Sequence, residues 1–102
     1  MDSGQNAKEV YQTIMNDIHD AENNLAEGYD LYVFLSDYPN IEITTIGRRG
    51  DHLLFFEGCV GQSQKTHFLI HYSKVSLLIV EKKIEPAPAY KPKRKIGFVV
   101  KV

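Results

Sequence analysis

Residues 66–80, Thr-His-Phe-Leu-Ile-His-Tyr-Ser-Lys-Val-Ser-Leu-Leu-Ile-Val, form the longest run of β-branched, aromatic and aliphatic side chains in the chain. Such side chains fit a pleated, half-buried surface, so the run predicts strand. A single strand of that length would be roughly two to three times the usual five or six residues. Its polar break, Tyr72-Ser73-Lys74, has no Gly, Asn or Asp for a two-residue hairpin. The run therefore predicts two strands that meet at a corner. A corner that turns without a tight reversal is what a small, strongly bent barrel needs.

The chain has 102 residues, of which 43% are hydrophobic and 25% charged. That is enough for one globular domain with a modest core and too little for two. Its apolar runs are much shorter than the ~20 residues of a membrane-spanning helix, and Met1-Asp2-Ser3-Gly4 opens no signal peptide, so a cytoplasmic location is expected. The lone Cys59 has no partner for an intrachain disulfide, in keeping with a reducing compartment. A net charge of −1 hides an asymmetry: from Lys82 onward seven basic residues face only Glu85, leaving +6 there and −7 on the rest. A basic tail on an acidic body suits nucleic acid, a membrane surface or an acidic neighbour, and equally a tail that is merely solvated.

Asn6-Ala7-Lys8-Glu9 has the form of a capping box and predicts a helix start. Val10, Ile14, Ile18, Ala21 and Leu25 recur at helical spacing, Tyr11 and Met15 widen the stripe, and Gly28 is expected to end the helix in the left-handed conformation. Strands follow. Tyr29, Leu31, Val33 and Leu35 alternate with Asp30, Tyr32, Phe34 and Ser36; a turn is expected at Asp37-Tyr38-Pro39-Asn40; Ile41, Ile43 and Thr45 mark a second strand. Gly47-Arg48-Arg49-Gly50-Asp51 is expected to connect to residues 52–57, a central strand apolar on both faces. Residues 58–65 are expected as a glycine-rich loop or bulged hairpin end. Residues 84–92, with three prolines, suggest an extended linker. Ile96 to Val102 then supplies a last edge strand, for its own sheet or a neighbour's. The expected organisation is residues 1–83 as helix plus small barrel and 84–102 as a basic, Pro-containing extension.

Catalytic and metal chemistry find little footing. His52, His67, His71 and Cys59 are suitable zinc ligands, but their spacing matches no standard finger, and His67 and His71 stand four residues apart along a strand. No activating base marks Cys59 as a nucleophile, and Gly47-Arg48-Arg49-Gly50 lacks the Walker spacing and its Lys-Ser/Thr. No catalytic residue, metal or cofactor is expected. Arg48 and Arg49, read as a loop tip, are candidate phosphate contacts.

The order of one helix and five strands resembles the Sm-like fold family, including its Hfq branch. Two stretches carry the resemblance: Gly50-Asp51-His52-Leu53-Leu54-Phe55-Phe56 looks like the family's Asp and apolar third strand, and residues 70–79 look like its fourth-strand end, tight corner and fifth strand. Thr45 stands where the family's second-strand glycine usually falls, and His71-Tyr72-Ser73 where Hfq members carry Tyr-Lys-His. The resemblance implies a strongly bent, five-stranded antiparallel open barrel and a homo-oligomeric ring in which the fourth strand of one subunit pairs with the fifth of the next. Phe68, Ile70, Leu77 and Ile79 would then lie at the oligomer interface. It also implies single-stranded RNA as a partner, met by His71, Tyr72 and Lys74 at a pore and by Arg48, Arg49, Lys93, Arg94 and Lys95 at phosphates. An oligomeric adaptor that uses the same fold to hold proteins, without RNA, is the alternative; an enzyme ranks below both.

Overall fold

The computed structural model describes residues 6–61, 63–84 and 95–101. One helix, α1 (Ala7–Asn23), precedes six strands: β1 (Tyr29–Leu35), β2 (Tyr38–Arg49), β3 (Leu53–Val60), β4 (Gln64–His71), β5 (Leu77–Lys83) and β6 (Gly97–Lys101). A 3₁₀ turn, Tyr72–Lys74, joins β4 to β5. The protein is thus mainly β with an N-terminal helix. No helix among the described residues is long and apolar enough to cross a membrane.

The strands form one sheet in the order β4-β3-β2-β1-β5, antiparallel throughout, and β6 lies parallel to β2. The sheet is not closed, since β4 and β5 stand at its two ends. β2 has twelve residues because it serves two partners along one side. It meets β1 through Tyr38 and Glu42, then β6 from Thr45 to Arg49, while β3 runs along its other side. The hand-over falls at an irregularity in the β2–β3 register between Ile43 and Thr45, where an extra residue bends the strand.

Two glycines let β2 and β3 approach closely. A Cβ at Gly47 would stand 1.8 Å from the Phe55 ring, and one at Gly58 would stand 2.6 Å from the Glu42 carbonyl oxygen. Thr45, expected as the counterpart of a bend-permitting glycine, lies two residues before Gly47, beside the bulge.

Strand alternation sends Leu31, Val33, Leu35, Ile43, Ile46, Leu54 and Phe56 to one face, where Ala7, Tyr11 and Ile18 of α1 complete the core. Val33, Ile43, Ile46, Leu54 and Phe56 are wholly excluded from water, each burial worth about 1.5–3 kcal/mol. The helix starts as its sequence predicts: the Asn6 side chain accepts the Glu9 N–H at 3.0 Å. Its buried line is Ala7, Tyr11 and Ile18, with Val10, Ile14, Met15 and Ala21 half-buried beside it.

Local expectations fail where a distant partner decides. The helix stops at Asn23, where the Asn24 side-chain amide caps the Asp20 carbonyl and the Leu25 N–H turns in to the Glu22 carbonyl instead of continuing the helical ladder. Gly28, with φ of +86°, instead shapes the entry to β1. The first hairpin turns on Ser36 and Asp37, so Tyr38, Pro39 and Asn40 already belong to β2. Ser36 is held from across the sheet: its N–H donates to the Ser76 carbonyl at 2.9 Å. Gly47, Arg48 and Arg49 are strand rather than connection, since both β3 and β6 supply ladder partners. Gly58, Cys59 and Val60 continue β3 for the same reason, opposite Ile43 and Glu42 and opposite β4. The last edge strand expected beyond the five of the barrel is β6, and it joins its own chain's sheet.

Gly47→Ala is expected to cost about 1–3 kcal/mol by overpacking, read as a lower urea midpoint. Phe55→Leu in the Gly47→Ala chain should recover part of that loss. Simple additivity of the two costs would mean that the ring and the glycine do not compete for one space.

Candidate functional site

Sheet register gathers the candidate residues at one end of the molecule. β2, β3 and β4 place Arg49 beside Leu53 and Leu53 beside His71, in one row on the face away from the core. Adjacent strands are ~4.8 Å apart, so about 10 Å separates the Arg49 and His71 backbones. In the backbone register, β6 sets Lys101 opposite Arg49. The β2–β3 turn, Gly50-Asp51-His52, and the 3₁₀ turn close the same end, and the Tyr72 N–H donates to the His52 carbonyl at 3.0 Å. The helix start is tied in as well, through the Ala7 N–H and the Asp51 carbonyl at 3.0 Å.

Three rings pile up there. His52 and His71 lie parallel, 5° apart in plane with centroids at 6.1 Å, and Tyr72 backs His71 at 4.4 Å. His71 cannot swivel freely: its Nδ1 accepts the Ser73 N–H at 3.2 Å and stands 2.8 Å from the Ser73 hydroxyl. With Nδ1 occupied as an acceptor, a neutral His71 carries its proton on Nε2, which leaves that nitrogen a donor. Tyr72 is half-buried, packing its ring on the core while His71 and Lys74 are exposed. The corner thus offers flat faces, hydrogen-bond donors and a cation, the elements that hold unstacked bases in single-stranded nucleic acid.

The two arginines have different surroundings. Arg48 is half-buried and its Nη1 donates to the Gly50 carbonyl at 3.1 Å, bracing the β2–β3 turn. Arg49 is exposed and borders a shallow recess shared with Phe55, Glu57, His67 and Leu69. Within it, His67 Nδ1 lies 3.4 Å from Glu57 Oε2, an exposed pairing of the kind worth under about 1 kcal/mol. The expected loop tip is therefore replaced by the end of a strand, with Arg49 the more accessible cation.

Lys95 does not join this group. β6 runs parallel to β2 from Gly97 beside Thr45 to Lys101 beside Arg49, so Lys95 lies at the opposite end, next to Ile96, whose N–H meets the Glu22 carboxylate of α1. Lys93 and Arg94 lie outside the described residues. Of the expected interface residues, Phe68, Ile70 and Leu77 pack partly against the core and Ile79 is 38% exposed; Leu69 and Leu78, at 58% and 45%, are barer. His52 is the residue whose part sequence spacing conceals. It reads as a strand start, and only the pairing of Leu53 with His71 carries it beside the second imidazole. Among the described residues, no three His, Cys, Asp or Glu side chains converge as metal ligands would.

Tyr11 links the helix to this end of β2. Burial pushes its phenol pKa up, and the nearby Arg48 guanidinium pulls it part of the way back. A raised folded-state pKa means that the folded chain holds the phenolic proton longer than the unfolded one, so this share of stability is present below pH ~10 and is lost as pH rises above it. Tyr11→Phe should flatten the fall in urea midpoint as pH rises above about 10; an unchanged profile would remove Tyr11 as its source.

A family model described as "Family of unknown function (DUF6173)" matches residues 1–99. No curated protein and no solved structure matches the chain.

Proposed function

The chain belongs to the DUF6173 family, of unknown function, and from its geometry we propose that it is a non-catalytic, Sm-like module that assembles with copies of itself and presents its imidazole–tyrosine corner to single-stranded RNA. One observation carries the assembly: β4 has a ladder partner only in β3, and β5 only in β1, among the described residues. Each therefore offers a row of backbone donors and acceptors along its outer side, of eight and seven residues. Soluble proteins pair, cover or charge such edges. β5 is charged over one half only: Glu81, Lys82 and Lys83 are charged and exposed, while Leu77, Leu78 and Ile79 are apolar. Pairing of β4 with β5 of the next copy satisfies the backbone and covers Leu69, Leu78 and Ile79 together.

The strand order, the 3₁₀ corner between β4 and β5 and the helix over the sheet support the Sm-like assignment. Such an assembly repeats the corner once per copy. His52, His71 and Tyr72 then supply stacking surfaces, and Arg49 and Lys74 supply charge to the phosphates. The exposed Leu69 and Val99, on the outer face beside Phe55, favour the second reading, an assembly that holds a protein on that face without RNA.

Light scattering should give a mass several times that of one chain. Leu69→Lys with Leu78→Lys, both at exposed positions, should reduce it to one chain with the circular dichroism spectrum retained; a wild-type mass of a single chain would refute the assembly. Fluorescent oligouridine or oligoadenine should bind at low ionic strength, and His71→Ala or Tyr72→Ala should weaken it about 5- to 150-fold, as loss of ~1–3 kcal/mol of stacking requires. Arg49→Ala should lower the slope of log affinity on log salt by about 0.7. An assembled protein that binds neither oligonucleotide would leave the adaptor reading standing alone.

A further inference from the structure

The turn between β4 and β5 is capped by an imidazole. The backbone at His71 is extended, with φ of −60° and ψ of 139°, and its ring closes over Tyr72–Lys74 as a Ser or Asn side chain closes over a helix start. An amide N–H can only donate, so the Ser73 N–H at 3.2 Å requires a lone pair on His71 Nδ1. The Ser73 hydroxyl, 2.8 Å from the same nitrogen, can donate or accept. The two bonds therefore answer differently to a proton. An imidazole protonated on both nitrogens has no acceptor left. The hydroxyl then keeps its bond by turning round to accept, and the amide loses its partner.

What such a proton would release lies between two pins. On one side the Tyr72 N–H donates to the His52 carbonyl at 3.0 Å. On the other the Ser36 N–H donates to the Ser76 carbonyl at 2.9 Å, with the two seryl hydroxyls 2.9 Å apart. Backbone and hydroxyl groups take up no proton where imidazole does, so residues 73–75 can loosen while both strands stay paired. His71 and Ser73 are exposed to the solvent that supplies the proton. The β2–β3 turn brings Asp51 and His52 to this ring, His52 parallel at 6.1 Å; the 3₁₀ turn brings Tyr72, at 4.4 Å, and Lys74. β3 presents the uncharged Leu53, with Arg49 of β2 beyond it and Lys101 of β6 opposite Arg49. β5 opens with Leu77, Leu78 and Ile79, and α1 joins through the Ala7 N–H on the Asp51 carbonyl, with Lys8 and Glu9 next in its first turn. A proton on His52 as well sets like charges face to face, which parts the rings and does not restore the cap.

We propose that the β4–β5 corner is a proton-operated joint. With His71 neutral, its ring holds the Ser73 amide and the 3₁₀ turn; with His71 protonated, residues 73–75 come free between their two pins while β4 and β5 keep their places. The proton thereby sets where Lys74 stands relative to the His52, His71 and Tyr72 rings. The joint rests on the geometry of the cap alone and operates whether or not the corner meets RNA.

Nitrogen-15 NMR of the full chain between about pH 8 and 5, where imidazoles take up a proton, reads the joint without RNA. At the upper end the ring shifts should show His71 Nδ1 unprotonated. On acidification the Ser73 amide should move along the titration curve of His71, and its protection from hydrogen exchange should fall about 2- to 10-fold, as loss of one hydrogen bond requires. Protection of the Tyr72 and Ser36 amides should be kept. A neutral His71 protonated on Nδ1, or a Ser73 amide indifferent to the charge of the ring, would overturn the proposal; so would a loss of protection at all three amides together, which would mean a general opening. His71→Asn supplies the control, since its side-chain oxygen accepts at every pH in this range. The Ser73 amide should then stay fixed throughout, and one that still titrates in that variant assigns the movement to another group and removes His71 from the joint.

Discussion

Where Phe55 lies over Gly47, the missing Cβ is what lets a buried aromatic ring sit flat on a strand, with the bulge after Ile43 bending β2 on the way to that contact. Bent there, β2 can hold β1 by its first half and β6 by its second, with β3 along the whole opposite side. The inner face then curls around Ile43, Ile46, Leu54 and Phe56, and α1 closes it with Ala7, Tyr11 and Ile18. A flat β2 would leave β1 and β6 competing for one edge.

That single bent strand also sets the electrostatic character of one end. Its last residues carry Arg48 and Arg49 out to the β2–β3 turn, and the register with β3 and β4 delivers His52 and His71 to the same place. The corner's firmness comes from hydrogen bonds rather than backbone strain, because among the described residues none other than glycine has positive φ. Arg48 braces the turn, Ser73 fixes His71, and Tyr72 bonds to the His52 carbonyl.

Local chemistry was readable wherever it acts within a few residues. Asn6 announces the helix start, and the polar break at Tyr72-Ser73-Lys74 separates two strands in the apolar run of residues 66–80, as the structure has it. Features owed to distant partners were not readable. Arg48 and Arg49 flanked by glycines look like a loop, and become strand only because β3 and β6 flank them. Gly58 looks like a breaker, yet it is the residue that lets β3 approach the Glu42 carbonyl. His52 reads as a strand start, and its place beside His71 depends on the Leu53–His71 register, which no local spacing encodes. Asp30 shares its place in the alternation with Tyr32, Phe34 and Ser36, and nothing local in that pattern announces that the sheet buries it to 2% exposure.

The hydrogen bond from Ile96 to Glu22 and the ring contacts of Phe98 with Tyr11 and His19 bind the last strand to the first helix. First helix and last strand thereby share one fate: whatever loosens α1 from the sheet also undocks β6, and residues 97–101 must be in place before the helix has its full lining. The β2–β3–β4 hairpins, which precede β6 in the chain, are the part able to persist while α1 and β6 wait for each other.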